Sequence, residues 1–231
     1  SSEAIDLDGG LPDTAFFATG LNSEIREGHK VPMYFGTKIL NPDALEAPII
    51  ESDQPLGAVY PSTLLGFGTT LLLFERLTLD ALAEFHAGHV VQNYTGYQSA
   101  RRGAWHPCFP IQEKLIAYDN GDLSALQDVS ALDRGRCAIA STGDGTETVG
   151  YDIAYWTEPG DFTKLRYLSL TYDLPQSLLG FTRSASITLS GRNLFTWTDY
   201  TGADPEMNDG ADQLGTAGID ASFGRRDYYQ I

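Results

Sequence analysis

The sequence predicts an all-β fold of antiparallel strands, a segment of a transmembrane β-barrel that carries long loops. Three observations lead there. Apolar and polar residues alternate with period two over stretches longer than ordinary strands. The connections between those stretches are very unequal in length. The net charge lies entirely outside them. The 231-residue chain also holds 12 Tyr, 11 Phe and 24 Gly with only 2 Met, which favours strands and turns over helices.

Four strands are expected, at about 63–74, 77–90, 162–174 and 184–197. In the second, Leu77, Leu79, Ala81, Ala83, Phe85 and Ala87 share one face. Thr78, Asp80, Glu84, His86 and Gly88 share the other, with Leu82 as the exception. In the fourth, Ala185, Ile187, Leu189, Gly191, Phe195 and Trp197 alternate with Ser184, Ser186, Thr188, Ser190, Arg192 and Thr196, and Asn193 breaks the pattern. The first interleaves Gly66 and Gly68 with Leu65, Phe67, Leu71 and Leu73. The third sets Leu168, Leu170, Tyr172 and Leu174 against Thr163, Tyr167, Ser169, Thr171 and Asp173. Strands of about 11–14 residues exceed the usual mode of about 5–6 in soluble proteins, and suit a tilted wall across hydrocarbon.

Only Glu75-Arg76 separates the first two strands, and 175–183 joins the last two, whereas 1–60, 91–160 and 198–221 read as long loops. Short turns at one end and long loops at the other are the asymmetry of outer-membrane barrels. Residues 1–60, 91–160 and 198–231 hold 26 acidic and 10 basic residues, while the strand-and-turn segments hold 5 of each. The formal charge of -16 is therefore a property of the loops. Loops are generally more polar than strands, which accounts for the direction of this split but not its completeness.

Several function classes drop out. So acidic a surface repels phosphate backbones, which argues against nucleic-acid binding. No segment approaches the roughly 18 apolar residues of a membrane helix, and the chain's first residues carry no signal peptide. Cys108 and Cys137 lack zinc-ligand spacing. A disulfide between them and two free thiols both remain open readings. His29, His86, His89 and His106 form no metal-ligand spacing, and no nucleophile elbow or P-loop occurs. Sequence spacing cannot establish a glycosidase pair of carboxylates, so no enzyme is predicted and no cofactor is expected. The acidic stretch 204–210 places oxygen ligands at alternate positions like a calcium loop. Its Gly stands at the seventh position rather than the sixth and Gly215 at the twelfth, so a turn is the better reading.

The residues that remain carry a resemblance. Asp161-Phe-Thr-Lys-Leu-Arg-Tyr-Leu-Ser-Leu-Thr-Tyr-Asp-Leu-Pro175, followed by Ser190-Gly-Arg-Asn-Leu-Phe-Thr-Trp-Thr-Asp-Tyr-Thr-Gly-Ala-Asp-Pro-Glu206, resembles the C-terminal signature of SusC/RagA-type TonB-dependent transporters. Ile25–Gly28 through Phe35-Gly36, and Thr63 through Phe85 and Gly88 to Asn93-Tyr94, are similar to the same family. The segment from about 100 to 150, with both cysteines, is the least typical. The resemblance implies a barrel of about 22 strands with a plugged lumen, in the bacterial outer membrane. It implies import of glycans or peptides, a SusD-like surface lipoprotein, and energy supplied by TonB through a plug domain outside this chain. Four strands cannot close a barrel, so further chain is expected, with a signal sequence and plug upstream and a last strand downstream.

On that reading Leu77, Leu79, Phe85, Ile187, Leu189 and Phe195 face the lipid bilayer, with Tyr172 and Trp197 as interfacial aromatics. Asp80, Glu84, His86, Ser190 and Arg192 face the lumen, with Arg192 pairing Glu84 or Asp80. Tyr94, Tyr97, Trp105, Tyr155 and Trp156 are candidate platforms for substrate, although packing of the loops is the commoner role of such rings. The competing reading is a soluble or secreted β-rich binding module that self-assembles through open strand edges and buries the same stripe under a second sheet.

Overall fold

The computed structural model describes residues 22–24, 26, 28–30, 32–138, 152–180 and 182–206. Its strands are β1 (Asn22–Glu24), β2 (Met33–Ile39), β3 (Ile50–Ala58), β4 (Thr63–Leu73), β5 (Leu77–Ala87), β6 (Val90–Gln92), β7 (Thr157–Pro159), β8 (Phe162–Asp173) and β9 (Ser186–Thr198). Its helices are α1 (Tyr94–Arg101), α2 (Phe109–Asp119) and α3 (Ala131–Arg136). The fold is mostly β-sheet, and among the described residues no helix is long and apolar enough to cross a membrane. The chain divides into two compact units, one of them Pro61–Gly88 with Gly160–Asp199.

That unit is one sheet in the order β4-β5-β8-β9, antiparallel throughout. The four strands coincide with the four expected from alternation, to within a few residues at their ends. Between β4 and β5 the chain reverses through Phe74 and Glu75, both left-handed at φ 52° and 63°, and Arg76 N donates to Leu73 O at 3.3 Å. Between β8 and β9 Leu174 N donates to Ala185 O at 2.9 Å. At the far ends of the strands, Asp161 Oδ1 accepts from Gly88 N at 2.8 Å and Asp161 O accepts from Thr198 Oγ1 at 2.7 Å.

Two irregularities interrupt the ladders at one level. Leu82 stands opposite Tyr167, and the next β5 residue, Ala83, stands opposite Leu165, so Arg166 is an extra residue in β8. On the other side Tyr167 pairs with Arg192 and Leu165 with Phe195, so Asn193 and Leu194 face the single Arg166. Asn193 takes the left-handed conformation (φ 49°), which Asn tolerates better than most residues.

The second unit contains a β1-β2-β3 sheet, the β6-β7 pair and, among the described residues, the three α-helices. This corrects the expectation that 1–60 and 91–160 are loops, and qualifies the all-β fold. Alternation does not reveal these strands, because register shifts between Tyr34 and Phe35 and between Gly36 and Lys38 break the β2–β3 ladder. The helices are short. Each of α1 and α3 is set by an N-cap: Asn93 Oδ1 accepts from Gly96 N at 2.7 Å, and Ser130 Oγ accepts from Asp133 N at 3.1 Å. Ile39, Ala100, Ala131, Tyr155 and Trp156 form the core, with Trp105 edge-on to Trp156 at 5.9 Å. Cys108 and Cys137 are joined by a buried disulfide, which links the start of α2 to the end of α3. Two glycines let the helices close on the rings. A Cβ at Gly96 would stand 2.6 Å from the Trp156 ring, and one at Gly135 would stand 2.7 Å from Ile39 Cδ1 and 3.2 Å from Tyr155 Cδ2.

Candidate functional site

The registers place residues on faces without reference to side chains. Leu71, Leu79, Leu170 and Leu189 form one cross-strand row, and Leu73, Leu77, Tyr172 and Ile187 form the row beside the turns. Phe85, Thr163 and Trp197 form a row at the opposite end. All six residues expected on the apolar face lie on this one face, together with Tyr172 and Trp197. The face carries no charged residue. Many of its side chains are open: Phe67 is 72% exposed, Leu189 75% and Trp197 56%, whereas burial under a second layer would leave them near zero. Along β5, which carries no inserted residue against β4, this face runs from Leu77 to Ala87, ten residues, about 33 Å along a strand and about 25 Å along a membrane normal at a tilt near 40°. Tyr172 stands at the turn end of this strip, and Phe195 stacked on Trp197 (5.8 Å between centroids) stands towards the other.

The opposite face carries Asp80, Glu84, His86, Ser190 and Arg192, as expected, but its pairing differs. Arg166 Nε donates to Glu84 Oε2 at 2.7 Å, and His86 Nε2 lies 3.7 Å from the same oxygen. Asp80 Oδ1 accepts from Thr70 Oγ1 at 2.6 Å. Arg192 stands across from Tyr167, so the expected pairing of Arg192 with Glu84 or Asp80 is replaced by the Arg166–Glu84 bridge. The reason is the extra residue in β8, which aims Arg166 at β5. The same irregularity overturns the placement of Thr163: it lies on the apolar face opposite Phe85 and Trp197, not among the polar residues. Lys164 and Phe162 take the polar side, both buried, with Lys164 Nζ 5.4 Å from the Phe162 ring centre and His86 packed on that ring at 4.5 Å. Strict alternation carried through position 166 puts these residues on the wrong faces and so conceals the cluster. The face is not wholly wet, since Leu64, Leu72 and Leu82 also lie on it.

The five aromatics suggested as substrate platforms belong to the other unit. Tyr155 and Trp156 are core residues there, Trp156 being 3% exposed, so their rings cannot lie against a ligand without opening the core. Tyr97 and Trp105 are half-buried against the same core and Tyr94 against its neighbour, so these three keep only partial access. Burial pushes the Tyr155 phenol up to about 12 and raises that of Tyr34 as well. A polar chain, buried at Glu158 and Asn93 and open at Thr201, runs beside Trp156. Glu158 Oε1 and Oε2 accept from Thr201 Oγ1 and N, both at 2.8 Å, and Thr201 Oγ1 accepts from Asn93 Nδ2 at 3.0 Å. Arg136 Nη2 lies 3.6 Å from Glu158 Oε1 while its Nε donates to Tyr155 O at 2.6 Å, and burial lowers the Arg136 pKa. Thr201 falls in the stretch whose likeness to a family was noted, which gives that stretch a structural role in this unit. Of the acidic stretch 204–210, Asp204 Oδ1 accepts from Glu206 N at 2.9 Å in a local turn, and 207–210 lie outside the described residues.

Long antiparallel strands with one apolar face and one polar face have the make-up of a transmembrane barrel wall. One relative of known class shares part of this sequence. A TonB-dependent receptor of Formosa agariphila is 51% identical over 51 residues, which are 21% of this chain and 5% of the relative. The resemblance read from the sequence is thereby supported: over that stretch the chain is similar to a TonB-dependent receptor, and it spans only a small part of that relative's length. Among solved structures, the RagAB peptide importer in its closed-closed state is 22% identical, covering 76% of this chain and 18% of that chain at a TM-score of 0.43. A RagAB peptide transporter structure gives 22% identity, 76% and 18% coverage and a TM-score of 0.44. No protein-family model matches the chain.

Proposed function

We propose that this chain forms wall strands and outer loops of a β-barrel importer in the bacterial outer membrane, of the SusC/RagA type. β4, β5, β8 and β9 are neighbouring staves of a barrel of about 22 strands, with the apolar face in lipid and the polar face towards the lumen. The unit built from the long connections meets a SusD-like lipoprotein and a glycan or peptide. TonB supplies energy through a plug domain outside this chain. No covalent chemistry is assigned to any residue. One observation carries the reading: an uncharged, exposed apolar face spans about 25 Å, the height of an outer-membrane barrel's apolar band. Exposed patches of that extent on a protein in water are a liability, while in lipid they are required.

Fractionation tests it directly. The native protein is expected in the outer-membrane pellet, released only by detergent, and uptake of its substrate is expected to stop when TonB is depleted. Recovery in the aqueous phase would favour the self-assembling β-module, which would use the outer edges of β4 and β9, unpaired among the described residues.

A further inference from the structure

Three chain segments that adjoin the long strands are joined at one carboxylate. Asn93 follows β6, Glu158 sits in β7 ahead of β8, and Thr201 comes shortly after the end of β9. Glu158 is 3% exposed, and three donor groups face it: Thr201 N and Oγ1, both at 2.8 Å, and Arg136 Nη2 at 3.6 Å. Because the Thr201 hydroxyl gives its proton to Glu158, it is left to accept from Asn93 Nδ2, while Asn93 Oδ1 caps α1. The segment 200–206 is thus docked through Tyr200 and Pro205, both buried, and through Thr201, open to solvent but doubly bonded to a buried anion.

A buried anion keeps its place only where it is compensated. The compensating cation comes from the disulfide-bearing segment. Arg136 ends α3, one residue before Cys137. Its guanidinium is held by Tyr155 O, 2.6 Å from Nε, and by the Trp156 ring at 5.5 Å. α3 has six residues, too few to persist unaided; Ser130 caps its start and the bond to Cys108 pins its end. We propose that Arg136 is a positioning residue and that α3 works through it as a latch. While α3 is seated, Glu158 is compensated and holds the 200–206 segment; when α3 is displaced, that segment is released. The inference goes beyond the proposed function and does not depend on whether the sheet spans a membrane. A role confined to packing would join Arg136 to Tyr155 and Trp156 alone. Its approach to Glu158 Oε1, the oxygen that also accepts from Thr201 Oγ1, is what ties it to the 200–206 segment.

The test is amide hydrogen exchange of the full-length protein, in detergent or buffer as its fractionation dictates, read on peptides covering 200–206, α3 and β5. Arg136→Leu is expected to speed exchange over 200–206 by about tenfold or more, because it strips a buried ion pair of one partner, with β5 unchanged. Arg136→Lys keeps the charge and should hold exchange within about threefold of the native protein. In a Glu158→Gln background no anion is left to compensate, so adding Arg136→Leu should change exchange over 200–206 by less than about threefold. Native exchange over 200–206 in Arg136→Leu overturns the inference. So does an equal acceleration in both backgrounds, which is what packing alone gives. Should Arg136→Leu fail to fold, Cys108→Ala with Cys137→Ala loosens α3 instead and is read the same way. Exchange over 200–206 must then rise by about tenfold with Glu158 present and by less than about threefold in the Glu158→Gln background, and any other pattern overturns the latch.

Discussion

Ala81 lies in the row Thr69, Ala81, Leu168 and Gly191, near the middle of the apolar strip. Replacing it with Arg removes almost no side chain and adds one charge at the depth where lipid tolerates it least. If the strip faces hydrocarbon, Ala81→Arg costs about 2–4 kcal/mol. At about 1.4 kcal/mol per tenfold, that is roughly a thirtyfold to several-hundredfold shift in the folded-to-unfolded ratio. The same change at Leu77, in the last row beside the turns, should cost only about 0–1 kcal/mol, because the penalty falls towards the interface. At Ser190, next to the Ala81 row but on the polar face and exposed, it should stay within about 0.5 kcal/mol. Ala81→Gln, similar in reach without the charge, separates the charge from bulk. The assay is denaturant unfolding of the full-length protein in lipid vesicles, with assembly followed by resistance to protease. The signature is the gradient with depth, which neither water nor a docked protein would produce. Equal effects at 81, 77 and 190, or a cost at 81 below about 0.5 kcal/mol, refute the assignment of the face to lipid.

The disulfide closes a loop with a sequence separation of 29, worth about 3–4 kcal/mol of loop-closure entropy. Denaturant curves of the oxidised and reduced protein should differ by that order, and two titratable thiols in the non-reduced, denatured protein would refute the bond. Gly135→Ala drives a methyl against Ile39 and Tyr155 and should cost about 1–3 kcal/mol, whereas at Gly66 nothing lies within 4 Å and Ala should be tolerated; comparable losses of stability at the two would contradict the packing described. Tyr155 keeps its proton in the folded state to about 12, above the ordinary 10. Its contribution is therefore complete below pH 10 and is lost as pH rises towards 12, at up to about 1.4 kcal/mol per pH unit. Tyr155→Phe should flatten that part of the stability profile, read against tyrosinate absorbance. Deleting Asn193 alone should put Ile187 and Leu189 on the polar side and abolish assembly, while deleting Asn193 with Leu194 preserves the faces and should assemble.

What could be read from the sequence was the part governed by a uniform rule. In β5 each residue pairs in unbroken register with β4, so alternation from Leu77 to Ala87 maps directly onto two faces, and even the exception, Leu82, is simply a leucine on the polar side. The mixed unit obeys no single period. Its strands carry register shifts, its helices are short, and its core is assembled from residues as distant as Ile39, Ala100 and Trp156. Aromatics there look like ligand platforms in the sequence because burial is decided by long-range packing that no local pattern records. The Arg136, Glu158, Thr201 and Asn93 chain was invisible for the same reason.

The errors in the long-stranded sheet have one cause, and it separates β8 from β9. Between the row of Leu82, Tyr167 and Arg192 and the row of Ala83, Leu165 and Phe195, β5 contains no extra residue, β8 contains one and β9 contains two. One extra residue reverses the parity of a strand, which is why Thr163 and Lys164 exchanged faces and why Arg166 rather than Arg192 reaches Glu84. Two extra residues restore it, so Ile187 and Leu189 share a face with Phe195 and Trp197 despite the interruption. Asn193 was therefore the visible trace of an even insertion. Leu194, the second inserted residue, covers Gly191, where a Cβ would stand 2.6 Å from its Cδ2. A count rising from none to two across three adjacent strands makes the sheet longer at one side than at the other at that level. Such a sheet must bend and coil more strongly there, as sheets do where bulges accumulate. On the proposed barrel reading, the irregularity that hid part of the polar face from the sequence would supply local curvature of the kind a closing wall requires.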